Sequence, residues 1–417
     1  MTQIEHQRID RTLPGCGPLV APDQGHDRGL RAAVFDRIRA AGLIPRVDLA
    51  RDLAISPATI TTLTSDLIER GLVGEIETPR LGGESPRGRP PVALGVRGDA
   101  GYVAGIKISD ETHTAVILDF AGRRVAAAAL PAGAVTRDLA RTLAAASAVL
   151  KAATDGTGLR PRDLKAVGIG LPGLIDTRTG DVLWSPLMRG GPSPLGTALS
   201  AQLGCPVHVD NDANLVTLAE LWFGAGRTMA DFAVVTIEHG VGMGLVLNHR
   251  LYRGAHGMGM EIGHTKVQLD GALCRCGQRG CLEAYVADYA LVREASTALN
   301  WNQRGGSQHE LLEGLYEQAK SGDVAARMIF DRAGRYLALG LANIVNLFDP
   351  SLIILSGERM RYDYLYASEM LAEVARLSMN AGGRTPRIEI NAWGDMVWAQ
   401  GAAALALAHA SDAVLAA

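Results

Sequence analysis

Three cysteines and a histidine carry the clearest chemistry in this chain. In EIGHTKVQLDGALCRCGQRGCLEA (261–284) the order is His264, nine residues, Cys274, one residue, Cys276, four residues, Cys281. Three thiolates and an imidazole are a preferred tetrahedral set for zinc, and Gly277 and Gly280 let the loop fold back so that all four converge. Four protein ligands leave the metal no open position, which predicts a structural Zn2+ rather than a catalytic one. The plainer alternative is three buried free cysteines and a hydrogen-bonded histidine. Chance seldom packs three of five cysteines around two glycines, and this grouping argues against a disulfide framework and for a reducing compartment. Cys16 and Cys205 have no partner pattern.

Amides and carboxylates form a second set. PVHVDNDANLVTLAELWFG (206–224) reads as a short strand giving way to a helix at Asn211-Asp212-Ala213-Asn214. An Asn-Asp pair at the carboxyl end of a strand, in a cleft, bonds adjacent hydroxyls of a polyol. Asp212 would also take a hydroxyl proton as general base if a phosphoryl donor were present. The bland reading of the same residues is an Asx helix cap. Glu261 precedes His264 by three and Glu283 follows Cys281 by two, so the metal loop holds two further carboxylates, which accept sugar hydroxyls well.

A third set faces nucleic acid. Ala33, Val34, Ile38 and Ala41 make a helical stripe ending at Gly42, and a second short helix runs over about 47–53. After the turn Ala54-Ile55-Ser56, Ser56-Pro57 caps and opens a third helix, SPATITTLTSDLIERGLV (56–73), with Ile60, Leu63, Leu67 and Ile68 inward. Its other face shows Thr59, Thr61, Thr62 and Ser65, with Ser56 and Ala58 at its start. This is a helix-turn-helix pattern. Short Ser and Thr side chains approach a groove closely and offer methyls to thymine; a plain three-helix packing module is the alternative. A strand over 72–77 and a Gly/Pro loop, RLGGESPRGRPPVALGV (80–96), then return as in a winged helix. From 78 to 97 there are four arginines against one glutamate, and Arg87 and Arg89 suit phosphate or minor-groove contacts.

The elements that must position these groups fill 417 residues, enough for two or three domains. Hydrophobic residues make up 47% and charged residues 20%, which excludes wholesale disorder. The formal net charge of −3 argues on its face against a nucleic-acid partner, unless charge is segregated along the chain. There is no membrane-length apolar run and no signal pattern, so a soluble, cytoplasmic protein is expected. Residues 1–28 read as a mobile tail and 29–97 as the DNA-reading module. From 98 to 417 short strands alternate with helices, giving an α/β body. Two lobes of similar logic are expected, one over about 98–210 with 396–417, the other over about 211–395.

The zinc loop with its EIGH start and CLEA end, the NDAN turn, GIGLPGLID (168–176) and GVGMGLVLNHRLYRGAHGMGMEIGH (240–264) resemble the ROK family of repressors, open reading frames and sugar kinases. With the winged helix and GRPP (88–91), the chain is similar to the repressor branch. The resemblance implies a two-lobed, actin-like or RNase H-like sugar-kinase fold, usually oligomeric, with sugar in the interlobe cleft. By position, Asn211, Asp212, Glu261, His264 and Glu283 fall on the sugar-site pattern. Family kinases carry a D-x-G-G-T phosphate loop where this chain has Lys107-Ile108-Ser109-Asp110-Glu111. Their G-T-G-x-G segment is Glu238-His239-Gly240-Val241-Gly242 here, and a late Gly-Gly turn is Ser356-Gly357-Glu358. Lys107 in place of the acid, and Ser109, Asp110 and Glu238 in place of phosphate-cradling glycines, predict no catalysis. An asparagine expected after Ser185-Pro186 is Leu187, which removes one sugar contact. The expectation is a repressor, as a homodimer or dimer of dimers, on double-stranded operator DNA and released by a small sugar. A sugar-transport protein is a further candidate partner, and no membrane insertion is expected. The rival is a ROK-type sugar kinase carrying a DNA-binding arm.

Overall fold

A computed structural model describes residues 14–19, 29–77, 92–133, 137–255, 257–299, 307–357, 360, 368–379, 386–391, 394 and 396–416. The chain begins with a small module: α1 (Gly29–Ala41), β1 (Ile44–Pro45), α2 (Arg46–Asp52), α3 (Pro57–Glu69), β2 (Val73–Glu77) and β3 (Val92–Val96). Val34, Phe35 and Ile38 of α1, with Ile60 and Leu67 of α3, form its core. Ser56 caps α3 by accepting the Thr59 N–H at 3.2 Å, with Pro57 in the first turn. The expected helix over 56–73 stops at Glu69, because Gly71 takes φ +70° and turns the chain into β2. Leu63 and Ile68 are only half-buried, and Thr64 takes the inward place between Ile60 and Leu67. The strands form one antiparallel sheet in the order β1-β3-β2. The loop joining β2 to β3, with Arg87 and Arg89, lies outside the described residues.

An α/β layer follows: β4 (Tyr102–Lys107), β5 (Thr112–Asp119), β6 (Arg124–Pro131), α4 (Leu139–Thr154), β7 (Ala166–Leu171), β8 (Leu174–Asp176), β9 (Asp181–Trp184), α5 (Leu195–Leu203), β10 (Val207–Asn211) and α6 (Asp212–Phe223). Its five-stranded sheet runs β10-β7-β4-β5-β6, a β4-β5-β6 antiparallel meander with β7 and β10 parallel to β4. The next stretch holds β11 (Phe232–Ile237), β12 (Val241–Leu247), β13 (Arg250–Tyr252), α7 (Glu283–Val286), α8 (Asp288–Ala298), α9 (Gln308–Ser321), α10 (Val324–Phe348), β14 (Leu352–Ser356), α11 (Ser368–Leu377) and β15 (Arg387–Asn391), and α12 (Val397–Ala416) follows. Its sheet, β13-β12-β11-β14-β15, has the strand order of the other five-stranded sheet when read from β15.

The alanine-rich α12 is buried on nearly every side, and glycines explain how. A Cβ at Gly105 of β4 would stand 2.0 Å from the Ala399 carbonyl, and one at Gly168 of β7 1.9 Å from the Ala402 carbonyl. Bare strands and a helix of small residues thus meet backbone to backbone. Gly401 of α12 meets the Leu215 carbonyl of α6 in the same way.

By contact the chain divides into two compact units. The first runs up to Ala230 and includes Val246–Leu251 and Met396 onward; the second takes Asp231–Leu245 and 252–395. The boundary expected at 210 therefore lies some twenty residues later, because the packing of α6 on α12 keeps α6 in the first unit. A second correction concerns the tail. Within 1–28, residues 14–19 are packed rather than loose: the Cys16 and Gly17 amides donate to the carbonyls of Arg39 (3.1 Å) and Trp222 (2.8 Å), and Cys16 is buried.

Candidate functional site

The second unit assembles the cysteine cluster. The ligand atoms of His264, Cys274, Cys276 and Cys281 all lie within 4.8 Å of one another. Cys274 Sγ is 3.7 Å from His264 Nδ1 and Cys276 Sγ is 3.8 Å from Cys281 Sγ. Gly277 and Gly280 have φ of +86° and +75°, and a Cβ on Gly280 would stand 1.7 Å from the Gln268 carbonyl, so the fold-back read from the spacing needs glycine there. Lys266 Nζ donates to Cys281 Sγ at 3.0 Å, placing a cation where three thiolates would crowd negative charge. This set can hold a four-coordinate metal ion.

Glu283 lies against the cluster. Its carboxylate lies 3.6 Å from Cys274 Sγ and accepts from the Tyr289 hydroxyl (3.4 Å) and the Val241 amide (3.4 Å). Glu261 is half-buried one turn before His264, whose amide donates to the Glu261 carbonyl at 3.0 Å.

Asn211 and Asp212 stand in the first unit, at the end of β10 and the start of α6. The capping role is real: Asn211 Oδ1 accepts the Asn214 amide at 2.8 Å, and Asp212 Oδ1 the Ala213 amide at 2.9 Å. The cap leaves the Asn211 NH2 and the second Asp212 oxygen for other partners. Burial raises the Asp212 carboxyl above the usual carboxylate range, against the Ala213 N–H and the positive charge of Lys107. Lys107 Nζ sits 3.5 Å above the Trp398 ring. The lysine read as a lost acid is thus a fixed cation acting on Asp212.

The loop after β4 is closed on itself. Ser109 N–H donates to His113 Nδ1 (3.3 Å), Thr112 N–H donates to Ser109 Oγ (3.1 Å), and the buried Arg137 donates to the carbonyls of Ser109 and Ala132. The Ser109 and Thr112 amides are thus engaged inside the loop rather than turned toward a phosphate. In the second unit, His239 Nδ1 is 3.2 Å from Asp288 Oδ2, and the Glu238 side chain lies against Gly357, where a Cβ would be 3.2 Å from its Cγ. Leu187 packs into the core of the first sheet, while Ser185 Oγ donates to the Pro172 carbonyl at 2.6 Å. The Leu187 side chain is thus part of the core.

His113 gives a pH prediction. Burial, reinforced by Arg137, lowers its pKa from 6.5 to about 4. The unfolded chain therefore binds the proton first, so this part of the stability is full above pH 6.5 and is lost as pH falls toward 4. In urea titrations between pH 7 and 4.5, His113→Gln is expected to flatten that loss; parallel curves for the two proteins would contradict it.

On α3, Ser56, Ala58, Thr61 and Thr62 are exposed and Thr59 is half-buried. Sequence reasoning missed two buried arginines behind this module. Arg227 donates to the carbonyls of Pro14, Gly17 and Ala40, while Arg39 reaches Ser411 Oγ (2.6 Å) and stacks on Trp222. Nothing in their sequence surroundings marks them.

The ROK family profile matches residues 103–409. The xylose repressor of Caldicellulosiruptor bescii is 27% identical over 84% of this chain and 88% of its own length. The DNA-binding transcriptional repressor Mlc of Escherichia coli is 32% identical over 78% of this chain and 80% of its own. Among solved structures, a ROK family transcriptional regulator described as a homologue of the E. coli MLC protein superposes with a TM-score of 0.75 at 25% identity, covering 93% of this chain and 97% of that one. The chain belongs to the ROK family.

Proposed function

We propose that the chain is a sugar-responsive, DNA-binding transcription regulator, a repressor that leaves its operator when a sugar or sugar derivative is bound. One helix carries this reading. α6 is capped by Asn211, starts at Asp212 and carries Trp222 in its last turn, 4.6 Å beneath the Arg39 guanidinium of α1. α1 packs in turn on α3. Hydroxyl-binding groups and the helix assigned to the major groove are therefore linked through one packed unit.

The N-terminal module acts as a winged helix, with Ser56, Ala58, Thr59, Thr61 and Thr62 toward the groove and Arg87 and Arg89 in the basic wing. The hydroxyl-binding set is Asn211, Asp212, Glu261, His264 and Glu283. The metal is structural zinc: a tetrahedron with Zn–S bonds of about 2.3 Å has edges of about 3.8 Å, in line with the separations in the cluster. Zinc supplies a cross-link that holds Glu261 and Glu283 in place. A cytoplasmic homodimer presents two such modules to a pseudo-palindrome, and a sugar-transport protein is a further partner. Among the described residues no helix is long and apolar enough to cross a membrane.

Three features support sugar binding without phosphoryl transfer: the self-satisfied loop at Ser109, the Lys107 cation acting on Asp212, and Glu238 beside Gly357. Retention of Asp212, the base position of the kinases, favours the sugar-kinase alternative. One experiment separates them. Duplexes enriched from a random library by the full chain are titrated with and without pentoses, hexoses and their N-acetyl and phosphate derivatives. At least one sugar is expected to weaken DNA binding about 5- to 150-fold, the usual range of allosteric coupling. Equal affinity with every sugar would reject the sensor, and phosphate transfer from ATP-magnesium to any of them would establish the kinase.

A further inference from the structure

α3 carries an unusual surface for a groove-reading helix. From Ser56 to Ser65 it has no Arg, Lys, Asn, Gln or His, the side chains that make paired hydrogen bonds to guanine or adenine. Its hydroxyls are largely engaged by the helix. Thr61 Oγ1 donates to the Pro57 carbonyl (2.9 Å) and Thr62 Oγ1 to the Ala58 carbonyl (3.2 Å). Ser56 Oγ accepts from Thr59 N–H and shares a proton with Thr59 Oγ1 at 2.8 Å. With the hydroxyls turned back onto the helix, what Thr61 and Thr62 show to solvent is chiefly their γ-methyls. Ala58, Thr61 and Thr62 stand at i, i+3 and i+4, so three methyls share one face.

Resting on the DNA-binding reading above, we propose that this face reads thymine through its C5-methyl group, with Ala58, Thr61 and Thr62 as the specificity-determining residues. In the major groove only thymine presents a methyl, and apolar contact is the way a methyl is read. The engaged hydroxyls keep acceptor capacity alone, which suits the N6 amino group of adenine and the N4 amino group of cytosine equally. The choice of T·A over C·G then falls to the methyls. Four residues of helix rise about 6 Å, roughly two base-pair steps, so the methyls face a run of two or three thymines in each half-site.

The test uses the full chain and duplexes it enriches from a random-sequence library. Expected are half-sites with such a run, and a loss of affinity of about fourfold for each thymine in it replaced by deoxyuridine, the effect of one buried methyl. Thr61→Ser with Thr62→Ser, which keeps the hydroxyls, should abolish the preference for thymine over deoxyuridine, and Thr61→Val with Thr62→Val should preserve it. Sequence-specific binding that ignores the uracil exchange, or the reverse ranking of the Ser and Val variants, would overturn methyl reading and leave DNA binding standing. No enrichment of any duplex would overturn both.

Discussion

Cys276→Ala is expected to strip the metal from the full chain and to lower its stability by on the order of 4 kcal/mol, a loss typical of a structural metal. Cys276 is the one exposed member of the cluster, so the substitution removes a ligand without opening a cavity in the core. Cys281 is fully buried, and its replacement would mix the two effects. The remaining His264, Cys274 and Cys281 would leave one coordination position to water and a lower affinity. Because Glu283 lies against Cys274 and Glu261 sits one turn before His264, loosening the loop should also blunt any sugar-dependent change in thermal stability. Metal analysis of the purified protein, before and after chelation, reads the first effect directly. Metal content unchanged by the substitution would remove Cys276 from the ligand set.

Arg227→Ala should be the most disruptive change remote from the metal. The guanidinium donates to Gly17 O (3.0 Å), Pro14 O (3.2 Å) and Ala40 O (2.7 Å), and alanine would leave these carbonyls without their donor. Buried orphaned acceptors cost about 1–3 kcal/mol each, so with partial relaxation a loss on the order of 3 kcal/mol is expected. Arg227→Lys should recover only part of it, since an ammonium cannot spread a planar fork over three acceptors. Cys16 supplies a local readout. Burial pushes its thiol up to about 11, against the pull of Arg39 and Arg227, and its alkylation in the native protein should be slow. In Arg227→Ala the Cys16 peptide should be modified much faster. Wild-type stability together with wild-type Cys16 labelling would show that the arginine holds nothing in place.

What the sequence makes legible here is local chemistry at fixed spacing. Ser56-Pro57 announces the start of α3, and the convergence of His264 with three cysteines follows from the ligand spacing and two glycines. Both are set within a few residues of chain. β1 was not readable, because two residues, one of them proline, carry no alternation. The closed loop at Ser109 depends on Arg137, which is brought in by the chain beyond β6, and Lys107 finds Trp398 only through the tertiary fold. That the Leu187 side chain belongs to the core is likewise settled by packing and not by the Ser185-Pro186 motif before it. The 210 boundary failed for a related reason, since the helix after β10 is claimed by a partner nearly two hundred residues away.

The anchoring of α1 has a consequence for biosynthesis. Arg39 bonds Ser411, 372 residues further along, and Arg31 bonds the Leu415 carbonyl, 384 residues along. At roughly 5–20 residues per second, about 20–75 s pass between translation of α1 and of its partners in α12. The module that would touch DNA can form its own core long before it has a platform. Its attachment to the body, and with it any control by a small molecule, is a late event in the making of the chain.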